Sequence, residues 1–148
     1  MSQLMQSHDY IVGHLTPSIV LYEPSFEGWL SAVFYVYTNK LQDDESLQLI
    51  AHDCYIPSLI AQATSVATDA DNAERVLIKL HKLLGPSGMR NILWGFLSEK
   101  AHIGTTLFQV IKYAIDYPSR HIMEDLGNLN VLELVQTVKS VAREKHRM

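Results

Sequence analysis

The chain has 148 residues, 47% of them hydrophobic and 19% charged, with a net charge of −4. That composition excludes a disordered or fibrous chain and suits one globular domain, which at about this length buries roughly 68–70% of its extended surface. A protein gripping nucleic acid over most of its surface is normally net basic, and this one is not. Cys54 is the only cysteine, so no intrachain disulfide forms and a reducing, cytoplasmic setting is expected. The opening MSQLMQSHDY lacks the basic start and apolar core of a signal peptide. No apolar run approaches the ~18 residues that would span a bilayer.

The charge is unevenly spread. Residues 1–70 hold eight acids against one base, Lys40, whereas residues 71–148 hold eleven bases against eight acids. Such a split suits an anion-binding second half, and it equally suits helices with solvated Lys and Arg.

Residues 1–17 are polar and mixed and read as a flexible leader. SIVLYE (18–23), β-branched and aromatic between Pro17 and Pro24, reads as a short strand. Ser25 then caps a helix from Phe26, with Phe26, Leu30, Val33, Phe34 and Tyr37 at helical spacing. Gly28 early in that helix suggests close approach of a backbone or a ligand, with helix–strand packing the commoner cause. Residues 41–69 contain two short apolar runs, LQLIA and SLIAQATSVA, that fit strands or short helices, separated by Pro57. Asp43, Asp44 and Glu45 read as a solvated turn.

From residue 68 the periodicity is firmly helical. Thr68 or Asp69 is the N-cap, Asp71 sits in the first turn, and Ala73, Val76, Leu77, Leu80, Leu83 and Leu84 share a face. GPSG (85–88) stops this helix. The next, 87–99, should turn Leu93, Phe96 and Leu97 inward. A helix over 105–117 follows, with Leu107, Val110, Ile111, Ala114 and Ile115 on one face, ending before Pro118. The last begins near Asn130 as N-cap. The expected fold is mainly α: about four principal helices with a small β element near the N-terminus, in a single domain over 18–148.

Few residues point to chemistry. Seven histidines and one cysteine show no metal-ligand spacing, so no metal and no cofactor is expected. Cys54 has nothing local to lower its pKa and reads as a buried or idle thiol. GPSG lacks the lysine of a phosphate-binding loop, and no nucleophile elbow occurs. Trp29 and Trp94 lie in apolar helical patterns, which favours core packing over base stacking. The last helix carries the clearest positive signal. Val131, Leu134 or Val135, Val138, and Val141 or Ala142 form an apolar stripe. Lys139, Arg143 and the His146–Arg147 pair share the polar face, with Lys145 beside them, and such a row of bases contacts phosphates. Bases also favour helix C-termini for dipole reasons alone.

LYEPSFEGWLSAVFYVY, TDADNAERVLIKL, LWGFLSE and REKHRM, in this order and spacing, resemble an uncharacterised bacterial family described only as DNA metabolism or repair proteins. The resemblance runs from about Ile19 to Met148. It implies a gene neighbour encoding a radical-SAM DNA-repair protein, and in some relatives fusion to a uracil-DNA glycosylase domain. The relatives continue past the point matching REKHRM into a second half rich in β signals. The uncapped basic helix therefore reads as a link into a C-terminal half lacking here. The resemblance transfers no catalytic residue. It marks Ser25, Phe26, Glu27, Gly28, Thr68, Asp69, Arg75, Arg143, His146 and Arg147 as motif positions of unknown role.

The expected function is an accessory module in DNA repair or DNA metabolism, acting with a partner enzyme. Lys139, Arg143, Lys145 and Arg147 would contact nucleic acid weakly and without sequence preference. A helical protein–protein adaptor is the alternative, and part of an enzyme whose site needs the second half is a third.

Overall fold

The computed structural model describes residues 17–57, 62–118 and 121–147, with side chains of the last helix described as far as Glu144. The expected leader lies almost wholly outside the described residues. The chain is mainly α, with a small parallel sheet near its N-terminus. β1 (Ser18–Tyr22) is the central strand, flanked by β2 (Gln48–Ala51) and β3 (Gln62–Val66) in the order β2-β1-β3. Val20 pairs with Leu49 on one side and Thr64 on the other. The centre position explains the unbroken apolar run of β1: a strand covered on both faces has no reason to alternate. Because parallel strands cannot be joined by a hairpin, α1 (Phe26–Thr38) makes the crossover from β1 to β2.

Three further helices complete the fold among the described residues: α2 (Ala70–Leu97), α3 (Ile103–Asp116) and α4 (Leu129–Arg147). α2 is broken at Gly85, whose φ of 70° and ψ of 177° lie off the helical path. Only glycine takes that conformation cheaply, and Pro86 then sits where a helix start tolerates it. GPSG therefore ends one helical run and begins another at once.

Trp29, Val33, Val36, Ile92, Leu107, Phe108, Val110, Ile111, Val131 and Leu134 are almost wholly buried and form the centre of the core. The indole Nε1 of Trp29 donates to the Gly104 carbonyl at 3.0 Å, joining α1 to the first turn of α3. A Cβ at Gly104 would lie 2.6 Å from the Tyr22 hydroxyl and 2.8 Å from the Leu49 carbonyl oxygen, so this turn has room for no side chain. Next to it, the Thr105 hydroxyl accepts from Leu49 N–H at 3.0 Å and covers the outer edge of β2.

Four expectations need correction. Leu93 and Leu97 face outward, 39% and 62% exposed, while Met89, Ile92 and Gly95 face the core. The reason is a glycine notch: a Cβ on Gly95 would lie 2.4 Å from Leu134 Cδ1, so α4 seats against the small residue and the leucines are turned away. Asn130 is not the cap of α4. Asn128 Oδ1 accepts from the N–H groups of Asn130 and Val131, at 3.0 and 3.2 Å. Asp44 is no solvated turn residue: its carboxylate accepts from Ser18 Oγ at 2.7 Å and from Ser46 N and Oγ at 2.9 and 2.7 Å, fastening the start of β1 to the approach to β2. Asp43 is exposed as expected, but it also pairs with Lys112 of α3 at 3.4 Å.

Two substitutions check this account. Ser25→Ala removes the hydroxyl that accepts from Gly28 N–H at 2.9 Å and should cost about 0.5–2 kcal/mol in urea unfolding. Gly104→Ala forces a methyl group against backbone and should cost about 1–3 kcal/mol, visible as a lowered thermal midpoint with secondary structure retained.

Candidate functional site

Six of the motif residues come together at one place, the carboxyl end of the sheet. Ser25, Phe26, Glu27 and Gly28 follow β1, and Thr68 and Asp69 follow β3. These two strands are direct neighbours, with Tyr22 opposite Val66. Ser31 of α1 ties the segments together: its Oγ accepts from Asp69 N–H at 2.9 Å and donates toward the Glu27 carbonyl at 3.0 Å. In open parallel sheets, ligands bind outside this carboxyl edge.

Most of these residues, however, have structural tasks. Ser25 and Asp69 are N-caps, Asp69 Oδ1 accepting from Asn72 N–H at 3.0 Å. Gly28 is required because a Cβ there would lie 2.3 Å from the Glu23 carbonyl oxygen, the close backbone approach its position implied. The Phe26 ring stacks on Trp29 and meets Phe96 edge-on, with centroids 5.8 and 5.4 Å apart. Glu27 is exposed in the first turn of α1, where its charge suits the helix dipole. Thr68 differs: its hydroxyl is buried and has no hydrogen-bond partner among the described residues. Arg75 is not at this edge. It lies further along α2, exposed, beside a groove against α1.

Near the ends of β1 and β2 lies a small acidic cluster. Tyr22 is buried, and its pKa is pushed from 10.0 to about 12 by that burial, by Cys54 and by Asp53. Cys54 is exposed on a short 3-10 turn (His52–Cys54), not buried. Slight desolvation, then Asp53 and Glu99, raise the pKa of its thiol, the opposite of what a nucleophile needs. No group of three or more His, Cys, Asp or Glu side chains among the described residues is placed to hold a metal ion. Trp29 is a core residue, as its pattern implied, and Trp94 is half-buried.

The basic residues lie elsewhere, on α4. Val131 and Leu134 are fully buried, Thr137 is buried, and Val135 and Val138 are half-buried, so the apolar stripe docks on the core. Lys139 and Arg143 are exposed, one turn apart. The helix continues through Arg147; the side chains of Lys145, His146 and Arg147 lie outside the described residues. The ideal rise of 1.5 Å per residue spaces Lys139, Arg143 and Arg147 by about 6 Å along one strip of helix. The motif cluster and the basic face are thus separate features on different elements.

Sequence reasoning missed three things. Lys112 Nζ bridges Asp43 and Asp116, at 3.4 and 2.9 Å. The Tyr113 hydroxyl makes a short hydrogen bond to Asp125. A cavity opens between α1, α2 and α3. All three join residues far apart in sequence, and only the i,i+4 spacing of Lys112 and Asp116 was visible beforehand.

Comparison with protein families, with curated proteins and with solved structures finds no match to this chain. No helix among the described residues is long and apolar enough to cross a membrane.

The buried Tyr22 makes an alkaline prediction. An unfolded tyrosine loses its proton near pH 10, whereas folded Tyr22 holds it to about 12. Its contribution to stability is therefore complete below pH 10 and is lost as the pH rises towards 12. Denaturant midpoints measured across that window should fall less steeply in Tyr22→Phe than in the parent chain.

Proposed function

We propose that this chain is an accessory module of a DNA-repair or DNA-metabolism system and touches nucleic acid through the outward face of α4. The observation that carries this reading is the pair Lys139 and Arg143, exposed one turn apart on a helix whose opposite stripe is buried. Helical register extends the row towards Arg147, with Lys145 beside it. Contacts of this kind neutralise phosphates and carry no base information, so binding is weak and indifferent to sequence. The chain's net charge of −4 opposes long-range attraction and confines binding to low salt. The acidic first half and the ordered motif segments support partnership with an enzyme, of the radical-SAM or uracil-DNA glycosylase type suggested by the family resemblance.

One observation favours a second reading, a protein–protein adaptor. Leu93 and Leu97 are exposed one turn apart, and Leu129 at the start of α4 is 79% exposed. Large apolar side chains held outward in this way suit docking on another protein.

Fluorescence anisotropy of a labelled duplex and a labelled single strand, titrated at several salt concentrations, separates the two. Three phosphate contacts on duplex give a slope of log K against log salt of about −2.7, at about −0.9 per phosphate. Arg143→Ala with Arg147→Ala should flatten it by about two contacts' worth. No binding at the lowest salt, or equal binding by the double variant, would leave the adaptor reading in front.

A further inference from the structure

We infer that the groove between α1, α2 and α3 is a binding site for a small amphiphilic anion: an aliphatic body carrying a single negatively charged head. The cavity has a volume of about 330 Å³. That lies within the ~300–1,000 Å³ typical of small-ligand pockets, which pair apolar walls with a few placed polar groups. Its floor is aliphatic. Val33 of α1, Leu80 of α2 and Ile111 of α3 line it and are themselves almost wholly buried, so they form part of the rigid core.

The charged residues that line this cavity are both cations. Arg75 and Lys79 both line it, one turn apart on α2, and among the described residues neither is in an ion pair. Side chains four residues apart lie on the same helix face, so the two cations serve one rim. Tyr37 also lines the cavity, but its hydroxyl is sealed from solvent and is not counted as a donor to the ligand. Burial raises its pKa, and Asp116 and Asp43 raise it further, so the phenol stays neutral. Those two acids are already bridged by Lys112, at 2.9 and 3.4 Å. Charge complementarity therefore assigns the head group to the Arg75–Lys79 rim and the apolar body to the floor. A nucleotide fits less well: its base needs hydrogen-bond partners along a wall that is mostly hydrocarbon. This site lies on other elements than the basic face of α4 and does not depend on the nucleic-acid reading.

The test is calorimetric titration of the full chain with sodium decanoate below its micelle concentration, alongside decyltrimethylammonium and AMP. Decanoate should bind saturably with one site per chain, and the cationic amphiphile of equal chain length should not bind. Exchanging both cations (Arg75→Gln with Lys79→Gln) alters exposed positions only and should weaken decanoate at least tenfold. Val76→Phe, at the half-buried edge of the groove, should abolish binding while the circular dichroism spectrum stays unchanged. The proposal is overturned if decanoate shows no saturation, if decyltrimethylammonium binds equally well, or if AMP binds more tightly. It is also overturned if the charge-neutral variant binds decanoate as the parent chain does.

Discussion

Trp29 must bury a large indole and still satisfy its one N–H, and much of the fold follows from how it does so. The ring is fully buried, and the N–H reaches the Gly104 carbonyl across 75 residues. Leaving such a donor unpaired in a dry core would cost about 1–3 kcal/mol, so the first turn of α3 is held at one height against α1. At that height α3 crowds Tyr22 of β1 and Leu49 of β2, which is why residue 104 is glycine. Thr105 then closes the edge of β2 through the Leu49 backbone. Two helices and two strands are thereby fixed relative to one another by a single buried donor and a missing side chain.

The same economy explains the motif residues. A three-stranded parallel sheet is small, and its carboxyl end is where the chain must turn into helices. Ser25, Gly28, Ser31 and Asp69 manage those turns by capping, by close backbone approach and by linking one turn to the other. Their joint pattern reflects the mechanical demands of a β–α junction at least as strongly as any chemistry. Thr68 stands apart, because a buried hydroxyl that finds no partner among the described residues costs stability rather than adding to it.

Besides the outward leucines Leu93, Leu97 and Leu129, two surfaces that carry positive charge remain after the structural tasks are assigned. One is the strip of α4 that carries Lys139 and Arg143, both exposed to solvent. The other is the groove of α1, α2 and α3, concave and mostly hydrocarbon, with cations at its rim. The physics of the two differs. On the strip the charges are screened by salt within about 10 Å at 0.1 M, and affinity for the polyanion proposed above would come from counterion release. In the groove most of the affinity for the amphiphile proposed above would come from removing apolar surface from water, and the charges would set which sign of head group is accepted. The domain thus places part of its second-half positive charge in two chemically different settings.

Local features were legible in the sequence because their causes are local. β1 followed from a β-branched run between prolines, the cap of α1 from Ser25, the break in α2 from Gly85 and Pro86, and the buried stripe of α4 from the 3.6-residue period. Gly28 was visible as a costly glycine early in a helix, but only the structure identified the Glu23 carbonyl as the neighbour that requires it. The sheet order and the outward turn of Leu93 and Leu97 were not. Hydrophobicity alone cannot choose between leucines on one helix face and small residues on another. The choice was made by Leu134 of α4 seating on Gly95, a contact between residues 39 positions apart. The groove was invisible for the same reason. Arg75 and Lys79 look like ordinary solvated helix residues until α1 and α3 set an aliphatic floor beside them, and a concave surface exists only where three helices meet.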